Sequence, residues 1–194
     1  MTLDVGIATR PCMGFKDNGD SYYTGRLGTA YLAAIMDGLG HGTQAAEASR
    51  LAVECLAEQE ELSIERFYRE CHERLRRTRG VAAGVAVIDE EQGRIQYTGV
   101  GNIEAIVYDR DSETTLISTN GILGGGVMPN VHVREAEFPL GALLILYSDG
   151  ISGKFRLEDY SELHEQPAQF IADLLLRDWS RINDDATVII IRRG

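Results

Sequence analysis

The chain has little of what several large classes of protein need. No run of apolar residues approaches the ~18 that a membrane-spanning helix requires, so no membrane partner is expected. The opening "MTLDVGIATR" lacks a basic region followed by a long apolar one, which excludes a secretory signal there. Three cysteines, Cys12, Cys55 and Cys71, are odd in number and form no close pair; four histidines are equally scattered. This usage fits neither a disulfide framework nor a zinc site and suits a reducing, cytoplasmic setting. Basic charge is scarce, with 19 Lys and Arg against 30 Asp and Glu and a net charge of −11, so the basic face that nucleic-acid binding wants is missing. Linkers, repeats and low-complexity segments are absent too, and residues 1–194 read as one domain with a sizeable core.

What is present reads as mixed α and β. Short strands are expected at 3–8 and 21–24 and a longer apolar one at 29–36. A helix should begin near Thr43, with Ala45, Ala48, Ala52, Cys55 and Leu56 on one side. A second begins at Ser63, with Ile64, Phe67, Tyr68, Cys71 and Leu75 at helical spacing. Its end is rich in arginine (Arg74, Arg76, Arg77), which favours the negative end of the helix dipole. Strands then follow at 81–89, 94–100, 103–109, 114–119, 131–138 and 142–148, with "DEEQG" and "DRDSE" as hairpin turns. Pro167 opens a third helix carrying Phe170, Ile171, Leu174, Leu175 and Trp179, and 186–192 is a last strand. Adjacent strands without regular βαβ alternation imply α+β with antiparallel sheets and helices outside them.

The acids carry the chemistry. "AYLAAIMDG" ends an apolar strand on Asp37-Gly38, and "ALLILYSDG" does the same on Asp149-Gly150. "NDDA" sets Asp184 and Asp185 at the mouth of the last strand, and "NGDSYY" puts Asp20 at the head of another. A lone Asp-Gly is usually a turn. Two built alike, with further acids at other strand ends, suggest convergence, and converging carboxylates need compensating charge. A pair of divalent cations supplies it, and oxygen ligands suit Mg²⁺ or Mn²⁺. Glycine after the acid would let a carbonyl or water come close.

The ordered motifs "NGDSYY", "MDGLGHG", "GVGN", "YSDGI" and "NDDATVII" resemble those of metal-dependent protein phosphatases of the type 2C (PPM) family, over essentially the whole chain. The likeness extends to the short bacterial serine phosphatases that act on sporulation and stress regulators. It implies two antiparallel sheets packed as a sandwich and flanked by helices. It implies catalytic acids Asp20, Asp37, Asp149 and Asp184 holding two cations, Mn²⁺ or Mg²⁺. Asp37 would bridge them with help from the Gly38 carbonyl, Asp20 would bind one, Asp149 and Asp184 would complete the other, and Asp185 would stand behind. The cations would activate water to attack a phosphoserine or phosphothreonine. The implied partners are phosphorylated STAS-domain proteins, either a stressosome scaffold or a free anti-anti-sigma protein; a catalytically weak phosphoprotein-binding module is the rival class. The sequence departs from larger relatives at Leu39, where they carry histidine, with His41 nearby either as leaving-group acid or as a loop residue. Where many relatives have a phosphate-holding arginine stand Phe15 and Lys16, the lysine being a substitute or a surface residue. "NGILGGGVMP" lacks the features of a P-loop and reads as a connection near the substrate entrance.

Overall fold

The fold is that of a computed structural model, which describes residues 2–61, 63–109, 112–157, 160 and 163–194. Two five-stranded sheets form it. One runs β1 (Leu3–Arg10), β10 (Ala186–Arg193), β9 (Leu143–Tyr147), β6 (Glu104–Asp109), β7 (Ser112–Leu116); the other runs β2 (Asp20–Leu27), β3 (Ala30–Gly38), β4 (Val81–Asp89), β5 (Arg94–Val100), β8 (Arg134–Glu137). All pairings between these strands are antiparallel. Helices α1 (Thr43–Ala57) and α2 (Ile64–Leu75) cover the outer face of the second sheet, and α3 (Ala168–Trp179) covers that of the first. The expected α+β sandwich is therefore the observed architecture.

Three apolar layers explain why the central strands read as unbroken apolar runs. Successive side chains of a strand point to opposite faces. In β3, Ala33 and Ile35 enter the layer between the sheets, while Leu32, Ala34 and Met36 pack under α1 and α2. In β9, Leu144 and Leu146 face inward, whereas Leu143, Ile145 and Tyr147 meet the α3 layer. A strand buried on both faces has no polar face to alternate with.

Several boundaries move. β2 begins on Asp20 and β3 runs through Gly38, so Asp20 and Asp37 lie inside a ladder and face each other in register. The strand expected at 131–138 shortens to Arg134–Glu137. That expected at 114–119 shifts to Ser112–Leu116, because the Thr119 amide leaves the ladder and donates to the Gly99 carbonyl (2.8 Å). The α2 helix stops at Leu75, so Arg76 caps it and Arg77 lies beyond. Of the apolar residues that the third helix carries, Ile171 and Leu175 are buried and Phe170 is 48% exposed. "DEEQG" does turn the chain: Asp89 accepts from the amides of Gln92 and Gly93 (2.9 Å each). The "DRDSE" turn falls partly on 110–111, outside the described residues. All three cysteines are free and buried, and no helix among the described residues is long and apolar enough to cross a membrane.

Candidate metal centre

The sandwich brings four strand ends to one place. Asp20 opens β2 and Asp37 is the last residue but one of β3, both on one sheet. Asp149 follows β9, and Asp184 and Asp185 precede β10, on the other. Ser148 ties the two sheets together: its hydroxyl donates to Asp20 Oδ2 (2.6 Å) and accepts from the Thr187 amide (3.0 Å). The cleft above, about 560 Å³, is lined by Asp37, Asp149, Asp184, His41, Asn102 and the 120–122 segment, among others. Asp20 and Asp185 are buried beneath it, 5% and 3% exposed.

The glycines of the two Asp-Gly pairs also have a packing duty. A Cβ on Gly150 would run into the carbonyl oxygen of Asp185, and one on Gly38 into that of Ala45. Glycine here lets two backbones meet, which sets Asp149 against the Asp184-Asp185 pair and Asp37 against the start of α1. Neither obstacle is a side-chain tip that can swing away. Gly150→Ala should therefore cost roughly 1–3 kcal/mol, the usual range for overpacking, and lower the melting temperature by roughly 2–10 °C. Thermal unfolding of the variant checks this; an unchanged Tm would refute the tight packing.

The electrostatics are strained in one direction. Carboxylates directly opposite each other on neighbouring strands repel. Burial raises the Asp37 carboxyl to about 8, with the charges of Asp20, Asp149 and Asp184 adding to it and Asn102 opposing. Burial likewise raises Asp20 to about 7, against the hydrogen bonds of Ser148 and Thr187, while Asp185 and Asp149 push it further up. Asp184 is also raised, by burial first and then by Asp149. Asp20 Oδ1 is buried with no hydrogen-bond partner. A buried acceptor without a partner carries a large desolvation penalty, and a cation beside it would remove both that penalty and the repulsion. The donor set, carboxylate oxygens on four strand ends, fits a hard divalent ion.

Two neighbours of the acids, Asn102 and Ser148, do not figure among the expected site residues, and His41 does so only as one of two alternatives. Asn102, in the quoted "GVGN", donates to Asp149 Oδ2 (2.6 Å). Ser148 holds Asp20. His41 turns Nδ1 to Asp185 Oδ2 (3.2 Å) and Asp184 Oδ1 (3.6 Å), and ligand atoms of the three lie within 4.8 Å of one another. Only the hydroxyl of "YSDG" and the amide of "GVGN" stood in the motifs as clues; their partners are 128 and 47 residues away. Lys16 is exposed and does not line the cleft. The "NGILGGGVMP" connection does reach it, through Asn120, Gly121 and Ile122. The segment from Ser152 to Glu165 packs Phe155, Leu157 and Leu163 into the α3 layer, with 158–159 and 161–162 outside the described residues.

Two face-to-face antiparallel sheets with an acid cluster at one end define the class of PP2C-type metal-dependent phosphatases. Residues 28–194 match the family described as Stage II sporulation protein E (SpoIIE), and the chain belongs to that family. It is similar to the phosphoserine phosphatase RsbX of Bacillus subtilis (strain 168), 25% identical over 135 residues, covering 69% of this chain and 67% of RsbX. It is 27% identical over 211 residues to Stage II sporulation protein E of the same organism, covering 98% of this chain but only 26% of that protein. The chain thus spans about a quarter of that relative. A structure solved in work on the bacterial stressosome, as a modular system adapted to control secondary messenger signaling, superposes with TM-score 0.91 at 30% identity, covering 99% of this chain and 100% of the other. RsbX in complex with magnesium gives TM-score 0.83 at 21% identity, covering 98% and 94%. The catalytic domain of the phosphatase PstP, solved with two manganese ions, gives 0.73 at 19%, covering 98% and 97%. By family and fold this is a PP2C-type serine/threonine phosphatase related to RsbX.

Proposed function

We propose that the chain is a cytoplasmic Mn²⁺- or Mg²⁺-dependent phosphatase that removes phosphate from serine or threonine of phosphorylated STAS-domain proteins of a stressosome. The observation that carries the reading is the convergence of Asp20, Asp37, Asp149 and Asp184 around a buried, unpartnered Asp20 oxygen. The 30% identity, over the full length of both chains, to a protein solved in stressosome work favours a stressosome target over a free anti-anti-sigma protein.

Asp37 and Asp20, opposed across β2 and β3, would hold one cation, and Asp37 with Asp149 and Asp184 the other, the Gly38 carbonyl assisting. Asp185 stands behind them, since its two oxygens are engaged by the Cys12 amide (2.9 Å) and His41. When bound, such ions lower the pKa of water and polarise phosphate oxygens. The chain's own residues do the positioning. Ser148 occupies Asp20 Oδ2 and leaves Oδ1 free; Asn102 occupies one oxygen of Asp149 and so fixes its rotation. The two sheets hold these acids in or next to strand ends, so little reorganisation accompanies attack of water on phosphorus. The serine oxygen that leaves must gain a proton, and His41, at the cleft wall beside Asp184 and Asp185, is placed to hold one.

Hydrolysis of p-nitrophenyl phosphate with Mn²⁺, followed by release of phosphate from phosphorylated STAS proteins, tests the reading. A folded phospho-STAS domain should be dephosphorylated at least about tenfold faster in kcat/KM than a peptide bearing the same site, a gap of roughly 1.4 kcal/mol. A peptide loses contacts with the 120–130 loop, and remote binding energy of that kind raises turnover as well as affinity. Equal efficiencies would remove the support for a folded target; Mn²⁺ binding without any hydrolysis would leave a phosphoprotein-binding module instead.

A further inference from the structure

We propose that Arg79, in the turn between α2 and β4, holds the phosphate of the incoming substrate at the mouth of the cleft. The inference rests on the phosphatase reading above but starts from a different observation. Gly40 lines the cleft, with φ +83°, and a Cβ on it would stand 2.7 Å from Arg79 Nη1. The guanidinium therefore lies over the bare backbone of Gly40, in space that a side chain there would occupy.

The backbone that carries Arg79 is held on both sides. The Gly80 carbonyl accepts from the Leu39 amide (3.0 Å), and the Gly80 amide donates to Thr78 Oγ1 (3.1 Å). Val81 pairs with Gly38 across β3 and β4, and exchanges two hydrogen bonds with Leu123 (3.0 and 2.9 Å). Arg79 is thus anchored between the strand end that carries Asp37 and the loop that forms the opposite wall. Its own side chain is exposed and makes no ion pair or hydrogen bond among the described residues. Of the arginines nearby, Arg74 pairs with Glu58 (2.5 Å) and Arg76 with Glu73 (2.9 Å). Arg79 thus stands on a held backbone, its guanidinium over Gly40 and without an acid partner among the described residues, in a chain that has eleven more acidic than basic residues.

A phosphomonoester needs such a group. It arrives as a dianion at a cleft walled by Asp37, Asp149 and Asp184. Cations held by those acids would face one side of the phosphate and leave its outer oxygens to the protein. Of the chain's two lysines, Lys154 lines another cleft with Glu113; Lys16 and Arg79 both lie outside the lining, but Arg79 stands against Gly40, which is part of it. A guanidinium offers two parallel donors that match two phosphate oxygens, which a lysine does not.

The test uses the full chain loaded with Mn²⁺, and inorganic phosphate as the probe, by calorimetry. Arg79→Ala should bind phosphate roughly ten- to a hundredfold more weakly, the usual effect of losing a charge-assisted pair. Its Tm and its Mn²⁺ affinity should stay close to wild-type values, because the exposed side chain lies over the backbone of Gly40 and pairs with no acid among the described residues. Arg79→Lys should recover only part of the loss, and kcat/KM for p-nitrophenyl phosphate should follow the same order. Undiminished phosphate binding by Arg79→Ala, or no phosphate binding by the wild type, overturns the proposal. Full recovery with lysine overturns the two-pronged contact, and an equal loss of Mn²⁺ affinity would place Arg79 on the cation site instead. A wild type that binds Mn²⁺ and phosphate yet hydrolyses nothing refutes the phosphatase reading, while the phosphate affinities still decide the role of Arg79.

Discussion

Asp37→Asn should lower phosphatase turnover by ~1000-fold or more at saturating Mn²⁺, a loss of about 4 kcal/mol in transition-state stabilisation. The size follows from where Asp37 stands. It is in register with Asp20 on the next strand and also within electrostatic reach of Asp149 and Asp184 on the other sheet. In the proposed two-cation site, an acid so placed would serve both halves. Asparagine keeps the size and one oxygen but loses the charge that both cations require. Near-normal rates in the variant would mean that the acids do not form a two-cation site around Asp37.

The same substitution should make the metal-free protein more stable, and the size of the gain depends on pH. The carboxyls of Asp37 and Asp20 are raised in the folded chain to about 8 and about 7, by burial first. In the unfolded chain an aspartate titrates near about 3.9. Between those values the folded state binds more protons than the unfolded state, so stability falls as pH rises and the penalty is complete above the folded values. Asparagine removes the Asp37 share and relieves Asp20. In chelator at pH 8, Asp37→Asn should therefore melt above the wild type, and the gap should narrow toward pH 4–5. Loss of activity together with gain of metal-free stability separates a ligand from a residue that merely supports the fold.

Much of this arrangement was legible along the chain. β4 and β5 fall where the apolar pattern and the "DEEQG" turn put them, and α1 begins at Thr43. The Asp-Gly pairs were conspicuous because each closes a run of apolar residues. Less legible was anything that depends on the far side of a contact. Gly38 and Gly150 suggested room for a ligand, whereas the space is taken by the Ala45 and Asp185 carbonyls. Arg79 follows α2 in "TRG", and nothing in that run says that its guanidinium lies over Gly40. Residues 131–133 have strand-like composition, yet the ladder with β5 starts only at Arg134. Periodicity reports which face is apolar; it does not report which backbone approaches it.

The response to metal provides the second large effect. Chelation should abolish hydrolysis of p-nitrophenyl phosphate, and Mn²⁺ or Mg²⁺ should restore it. Binding to the folded state alone adds roughly 2.7 kcal/mol of stability at a free concentration of about 100 times Kd. For a chain of this size that corresponds to roughly 5–10 °C in Tm. The shift should grow from pH 6 to pH 8, because a cation must displace the protons that raised Asp20 and Asp37 hold, and binding that releases protons strengthens as pH rises. A chain of net charge −11 also attracts divalent ions loosely over its surface, so the shift alone does not locate the site. Asp37→Asn does: loose binding would survive the loss of one charge in thirty acids, whereas a shared ligand's loss should remove most of the Mn²⁺-induced shift. A wild-type Tm that ignores millimolar Mn²⁺, or turnover that persists after thorough chelation, would rule out the two-cation site.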